Sequence, residues 1–386
     1  MKALFYISSS IGEDNILWGM LELQYDVVQS SLVVDLEKTD PVQIEIIAKE
    51  SSMVDFVITR DFSVNVAEGC HISGTPYISW CYDAPVLALY RREALYATNY
   101  VFVFDRMHYI RLKDLGLRNV YYQPLAANMT KAELTVITPS DMRRNYCDVS
   151  FVGSMYNKGF YDRFKTFAAS DIIDECEEIL SGHLCRWNSN NTICDELSDM
   201  AAEKLYSLLD DNREVQLSIS NKYLIELMIL IPELTSRERF YILNSAARKY
   251  KTVLHTHNPE SVSKSLLAEV YPSLDQLSED LYKTYAAAKI NLNLTMRSIE
   301  TGVPQRVFDI MSIGGCVFSN YQAEAAELFE PDKDIILFSS SEEFCDKAEY
   351  YLKHEKNRLE ICRNGHSKVK ECYNYPSAIS NMISKL

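Results

Sequence analysis

The apolar residues of this chain fall in short unbroken runs rather than in alternation. In the first part such runs cover residues 3–8, 32–36, 56–59, 77–80, 100–104 and 120–122. A strand buried on both faces has no polar side to show, so unbroken runs predict parallel sheet with helices on each face. Amphipathic stretches between the runs, including 15–25 and 41–50, supply those helices. Residues 1–125 therefore read as one doubly wound α/β domain.

The pattern then restarts. Residues 126–146 are polar, with Asn128, Thr130, Thr138-Pro-Ser140 and Arg143-Arg-Asn145, and read as a linker. A new strand at 148–152 runs into Gly153-Ser154, much as the first strand runs into Ser8-Ser-Ser-Ile-Gly12. Two units that begin alike predict two Rossmann-like domains facing across a cleft, the second spanning 147–375. Residues 160–235 are helical and interrupt its alternation, so they form an insertion. At their end Thr235-Ser-Arg-Glu238 has the spacing of a capping box that opens a helix. Strands at 252–255, 289–294, 316–319 and 334–338 follow, with helices opened by Ser273-Leu-Asp-Gln276, over 323–329 and from 342 to 372. Pro376 breaks the chain before a last helical stretch, 376–386.

Composition excludes several classes. At 386 residues, 47% hydrophobic and 24% charged, the chain is long enough for two or three ordinary globular domains. A formal net charge of −15 argues against non-specific nucleic-acid binding and against an anionic membrane surface. No apolar run approaches the ~20 residues of a membrane span, and the opening segment turns polar too soon for a secretion signal. Ten cysteines without a Cys-x-x-Cys pair read as reduced thiols in the cytoplasm. Cys176, Cys185 and Cys194, nine apart and near His183, could hold zinc, but metal ligands come in tighter pairs, and no metal is expected.

The candidate chemistry lies after strand ends. In Gly302-Val-Pro-Gln-Arg-Val-Phe-Asp309 a polar loop leads into a short helix that ends at Gly314-Gly315. Arg306 and Asp309 share a helix face. An arginine at a helix start suits a diphosphate, and a carboxylate suits two sugar hydroxyls. A solvated surface pair is the bland alternative. Gly153 and Ser154 could let a phosphate approach the backbone, or form an ordinary turn. His255 and His257 end a strand as pocket-lining groups, or as singly hydrogen-bonded histidines. Asn293 and Arg297 end the next strand, Arg297 as a second phosphate ligand or a surface arginine. In the first domain Asp83 follows a buried strand as a general-base candidate, or as a turn-stabilising aspartate before Pro85. Glu13, with its neighbour Asp14, is the runner-up. Asp105-Arg106 reads as a local pair.

The stretch Gly302-Val-Pro-Gln-Arg-Val-Phe-Asp309, with Gly314-Gly315, Phe329-Glu-Pro-Asp332 and Arg363-Asn-Gly-His366, resembles the C-terminal half of CgeB-like glycosyltransferases of the GT-B fold. Trp80-Cys-Tyr-Asp-Ala-Pro85 and Asp148-Val-Ser-Phe-Val-Gly-Ser154 fit the same family. The resemblance is specific over about residues 286–375 and loose elsewhere. It implies a nucleotide-sugar donor, UDP-linked, held by the second domain as a substrate, with no cofactor. It places the nucleotide ribose on Asp309 and the diphosphate near Arg306, Arg297 and Gly153. Relatives carry two acids eight apart; here Thr301 stands at the earlier position and Glu300 beside it. The activity implied is metal-independent glycosyl transfer to a glycan, protein or small-molecule acceptor. A nucleotide-sugar epimerase on the same fold and a non-catalytic binding or scaffold protein are the alternatives.

Overall fold

The computed structural model describes residues 1–8, 14–36, 38–157, 159–187, 193–209, 219–275 and 278–386. Among the described residues, twelve strands form two sheets. The first contains β1 (Lys2–Ser8), β2 (Asp26–Val34), β3 (Phe56–Arg60), β4 (Tyr77–Cys81), β5 (Asn99–Val103) and β6 (Val120–Tyr122), in the order β2-β1-β3-β4-β5-β6. The second contains β7 (Cys147–Val152), β8 (Thr252–Thr256), β9 (Glu269–Pro272), β10 (Ala288–Asn293), β11 (Val317–Asn320) and β12 (Ile336–Phe338), in the order β12-β11-β10-β7-β8-β9. Every pairing is parallel. Residues of β3, β4, β7 and β10 are almost all buried, as the unbroken runs require.

Strand order reverses between β1 and β3 in the first sheet and between β7 and β10 in the second. Loops leaving adjacent strands there diverge to opposite faces, and the crevice between them is where open α/β sheets bind ligands.

Two edge strands depart from expectation. β2 begins at Asp26 rather than at 32, because Gln29-Ser30-Ser31 interrupts its apolar run; an edge strand buried on one side tolerates that. β9, Glu-Val-Tyr-Pro, is mostly exposed and carries no run at all. Its Pro272 sits where a missing N–H costs no sheet bond.

The expected helix start at Thr235 is also corrected. The helix Ile231–Ala247 continues a helical path from Asn221, with Pro232 in its first turn. Thr235 and Glu238 lie buried inside it. Glu238 cannot reach back to cap because it is paired with Arg297. The segment 126–146 is not bare linker either. It holds short helices Met129–Leu134 and Pro139–Arg144, the second opened by a true capping box of Thr138 and Asp141.

The final helix, Tyr375–Ile383, takes Pro376 into its first turn and crosses onto the first domain. There it packs on the helix Asp14–Glu22 so closely that a methyl on Gly19 would stand 2.6 Å from Ile379 Cδ1. Tyr82 and Tyr375 join their hydroxyls across this seam at 2.8 Å. No helix is long and apolar enough to cross a membrane among the described residues.

Candidate functional site

At the second sheet's reversal, the carboxyl ends of β7 and β10 meet the helix Gln305–Ser312. Arg306, on its first turn, is held from two sides. Its Nε donates to the Val152 carbonyl at 2.8 Å and its Nη1 to Asn293 Oδ1 at 2.9 Å. Asn293 is itself fixed by donating to Thr295 and Ser319 hydroxyls, both at 2.8 Å. The third nitrogen, Nη2, lies where a side chain on Gly153 would collide, at 2.7 Å from an added Cβ. A glycine is required here for the guanidinium to occupy its place.

A second arginine arrives from an unexpected direction. Arg239, in the middle of the helix Ile231–Ala247, is 3% exposed and donates to the carbonyls of Ser154 and Leu294, just past the same two strand ends. The guanidiniums of Arg306 and Arg239 sit 5.0 and 5.1 Å from the Phe151 ring centre. Neither forms an ion pair among the described residues. Burial, and then the neighbouring Arg306 charge, pulls Arg239 down to about 10. Two guanidiniums with only neutral partners at these strand ends keep their charge available to an anion.

One turn further along, Asp309 is 9% exposed. Its Oδ1 accepts from Gln305 Nε2 at 2.8 Å. Burial pushes its carboxyl up to about 6, against the opposing pull of Gln305, Lys131, Arg306 and Arg60. Its charge also helps to hold Tyr282, Tyr285 and Tyr375 in their neutral form, after burial itself. Asp309 is thus a carboxylate with few internal donors, at the seam of the two domains.

The other predicted residues are distributed differently. Ser154 accepts from the Tyr156 amide at 3.2 Å and offers its carbonyl to Arg239. His255 bonds the Pro272 carbonyl at 3.1 Å and stacks on Tyr271, and His257 bonds Ser273 at 3.1 Å. Both histidines therefore serve the β9 edge rather than the paired arginines. Arg297 is 2% exposed and closed into an ion pair with Glu238, with further donation to the His183 and Arg186 carbonyls at 2.9 and 3.1 Å. Its surroundings tie the insertion to the loop after β10. Gly302 gives its amide to Asp105 Oδ2 at 3.0 Å, and an added Cβ would meet Phe104 backbone oxygen at 2.9 Å. It lets two backbones of different domains touch. Glu300 pairs with Arg111 of the first domain. Glu13 lies outside the described residues. In the zinc candidate the Cys194 side chain also lies outside them, and among the described residues no three His, Cys, Asp or Glu side chains are grouped to hold a metal ion.

Asp83 is exposed in the loop after β4. Beside it stands Asp61, which follows β3 at the first sheet's reversal. Asp61 is 4% exposed, adopts φ of 55°, and accepts the Tyr82 amide at 2.7 Å and the Asp83 amide. Burial, then the Asp83 charge, raises its carboxyl to about 6, although Arg60 lies 3.6 Å away. Arg60 in turn covers the Tyr82 ring at 4.4 Å. Asp105, expected to pair locally, is 1% exposed instead. It caps its own helix at His108 and takes the Thr301 and Gly302 amides at 2.9 and 3.0 Å. Asp61 and Asp105 left a signal in the sequence: Asp105 directly follows the apolar run 100–104, and Asp61 follows the run 56–59 after one intervening residue. Arg239 left none.

The comparisons bear on the fold. A family model described as glycosyl transferase-like matches residues 271–384. No curated protein matches the chain. Among solved structures, HepE of Anabaena, in complex with UDP, superposes with a TM-score of 0.57 at 12% identity over 100% of both chains. An α-glucosyltransferase in complex with UDP-glucose and DNA containing an abasic site gives 0.57 at 9% identity, over 100% of this chain and 98% of that one. Sucrose-phosphate synthase of Thermosynechococcus elongatus gives 0.53 at 9% identity, over 99% and 97%. At such identities the likeness is one of fold, and the fold is GT-B. The whole chain thus has the GT-B fold, and its C-terminal segment 271–384 is similar to glycosyl transferase-like proteins.

Proposed function

We propose that this protein moves a sugar from a UDP-linked donor to a glycan, protein or small-molecule acceptor, without a metal ion, in the cytoplasm, as a CgeB-like glycosyltransferase. The observation that carries this reading is the pair of ion-pair-free arginines around Phe151, with Gly153 between them and Asp309 one turn beyond. Departure of a nucleoside diphosphate builds negative charge where Arg306 and Arg239 stand, and fixed cations in a dry crevice stabilise it without reorganisation. Asp309, acceptor-only when ionised, suits the two ribose hydroxyls. UDP or UDP-glucose in the HepE and α-glucosyltransferase complexes supports the choice of base. The DNA in one of those complexes is not carried over, because a net charge of −15 opposes a polyanionic acceptor.

Across the seam, Asp83 is the base for the acceptor hydroxyl, and Asp61 positions it by holding the Tyr82 and Asp83 amides. Glu13, which lies outside the described residues, remains the second candidate. Asp83→Asn is expected to lower kcat by 10²-fold or more while leaving the donor Kd within about twofold, the usual scale for losing a general base. An unchanged kcat removes Asp83 from the mechanism, whereas donor binding with no turnover by the wild type is the result expected of a non-catalytic binder.

The functional test is a thermal-shift series with UDP-, GDP-, dTDP- and CDP-sugars, since a ligand that binds only the folded state raises Tm. A rise with UDP-sugars is expected, and its survival in EDTA tests metal independence. No shift with any of them overturns the donor assignment. The adjacent Asp61 and Asp83 carboxylates give the epimerase reading a specific observation, because epimerases need paired acids. Incubating a UDP-sugar without acceptor separates the two: an epimerised nucleotide sugar supports that reading, and an unchanged donor supports transfer.

A further inference from the structure

Arg60 ends β3 at the first sheet's reversal, in register with Trp80 of β4. Its guanidinium lies over the Tyr82 ring at 4.4 Å, and its side chain is 14% exposed. The Tyr82 hydroxyl meets that of Tyr375, in the final helix, at 2.8 Å, and Trp80 packs edge-on against the Tyr375 ring at 5.4 Å. Arg60 therefore stands where the second domain's last helix closes on the crevice of the first sheet. Its hydrogen-bonding capacity is unused. Nε is shut off from solvent, and Asp61 Oδ2 lies 3.6 Å from it, too far for a hydrogen bond. Among the described residues the guanidinium donates no hydrogen bond at all. Asp61 has instead committed its Oδ1 to the Tyr82 amide, at 2.7 Å. Arg306 and Arg239 differ, since both have donors committed to oxygens of the chain. An arginine lying free in water would need no partner, but this one is mostly covered, and Asp61 offsets its charge without satisfying its N–H groups. A planar cation fixed on an aromatic face keeps the donors along its edge for a ligand. That edge matches a carboxylate or a phosphate, taken through two N–H groups at once.

We propose that Arg60 binds an anionic group of the acceptor, a carboxylate or a phosphate, and so selects an acidic or phosphorylated sugar over a neutral one. This rests on the glycosyl-transfer reading and narrows its acceptor. Tyr82, beneath the guanidinium, is followed directly by Asp83, the proposed base. An anion held on Arg60 is thus held beside the loop that receives the acceptor hydroxyl. The donor diphosphate is the competing occupant, but it has its own cations, Arg306 and Arg239, at the strand ends of the other sheet.

Calorimetric titration of the full chain with glucose 6-phosphate, glucuronate and glucose, each with and without saturating UDP, tests this. Wild type is expected to bind one of the charged sugars about tenfold or more tightly than glucose, the scale of one charge-assisted hydrogen bond. Which of the two it binds tells phosphate from carboxylate. Arg60→Gln, which keeps the length and loses the charge, is expected to lose the preference, and Arg60→Lys to keep part of it. Both variants are expected to bind UDP within about twofold of wild type, because the donor cations lie elsewhere. The proposal is overturned if wild type binds the charged sugars no better than glucose, or if the preference survives in Arg60→Gln. A loss of UDP affinity of about tenfold in Arg60→Gln assigns the guanidinium to the donor and overturns it as well. The comparison of sugars on wild type needs no variant, so it decides even where a substitution does not fold. A wild type that ignores UDP yet prefers a charged sugar strikes the donor reading alone and leaves Arg60 as an anion site.

Discussion

Asp309 is buried where a negative charge is costly, and the donor contact proposed for it needs that charge. Its folded carboxyl titrates near 6 rather than near 3.8. The folded state therefore binds this proton more tightly than the unfolded chain. The protonated form favours folding fully below about 4; that contribution is lost as pH rises from 4 to 6, and above 6 the charge is a fixed cost. About two units correspond to about 3 kcal/mol at most. Asp309→Asn, near-isosteric and still an acceptor for Gln305, is expected to raise Tm at pH 7.5 but not at pH 4.5. The same variant is expected to lose UDP affinity at pH 7.5, and wild-type affinity is expected to fall as pH drops through 6. Parallel Tm and calorimetric titrations check both. A variant that melts lower at pH 7.5 and binds UDP normally contradicts the assignment.

Among the elements, the buried strands were legible because continuous apolar runs have few other solutions. Edge strands β2 and β9 were legible only in part or not at all, since exposure removes the pattern. The Thr235 signal misled for a physical reason. Thr-x-x-Glu caps a helix only when the glutamate is free to fold back, and Glu238 is instead the partner of a buried arginine. The distinction has a measurable size. Losing a cap costs about 1 kcal/mol, whereas removing one member of a buried ion pair costs about 3–5 kcal/mol. Glu238→Ala is expected to destabilise by the larger amount in urea unfolding, and a loss near 1 kcal/mol contradicts the buried pairing. Within the site, Arg306, Asp309 and Gly153 could be read from the sequence because they flank strand ends. Arg239 could not. It lies mid-helix, 85 positions from Ser154, and only tertiary packing brings it to the strand ends.

Across the whole molecule, the two domains are held together beside the proposed donor site. Asp105 binds the Thr301 and Gly302 amides at 2.9 and 3.0 Å, and Glu324 binds the Arg106 amide and the Thr301 hydroxyl, both at 2.7 Å. Further out, Arg106 meets Glu327 at 2.7 Å, both well exposed. These contacts differ in worth. Asp105→Ala orphans buried amides and is expected to cost about 1–3 kcal/mol for each, while Glu327→Ala removes a solvated pair worth at most about 1 kcal/mol. Urea unfolding of the two variants checks the order, and equal losses contradict it. Under the proposed function, a seam closed in this way would keep water from the donor, whose hydrolysis competes with transfer. The central claim, that the arginines between β7 and β10 grip a nucleoside diphosphate, is tested most directly by calorimetric titration of UDP into wild type and Arg306→Ala. Loss of charge-assisted bonds worth about 1.5–3 kcal/mol predicts a Kd roughly 10- to 100-fold weaker in a variant that still folds. A folded variant that binds UDP as tightly as wild type contradicts the account.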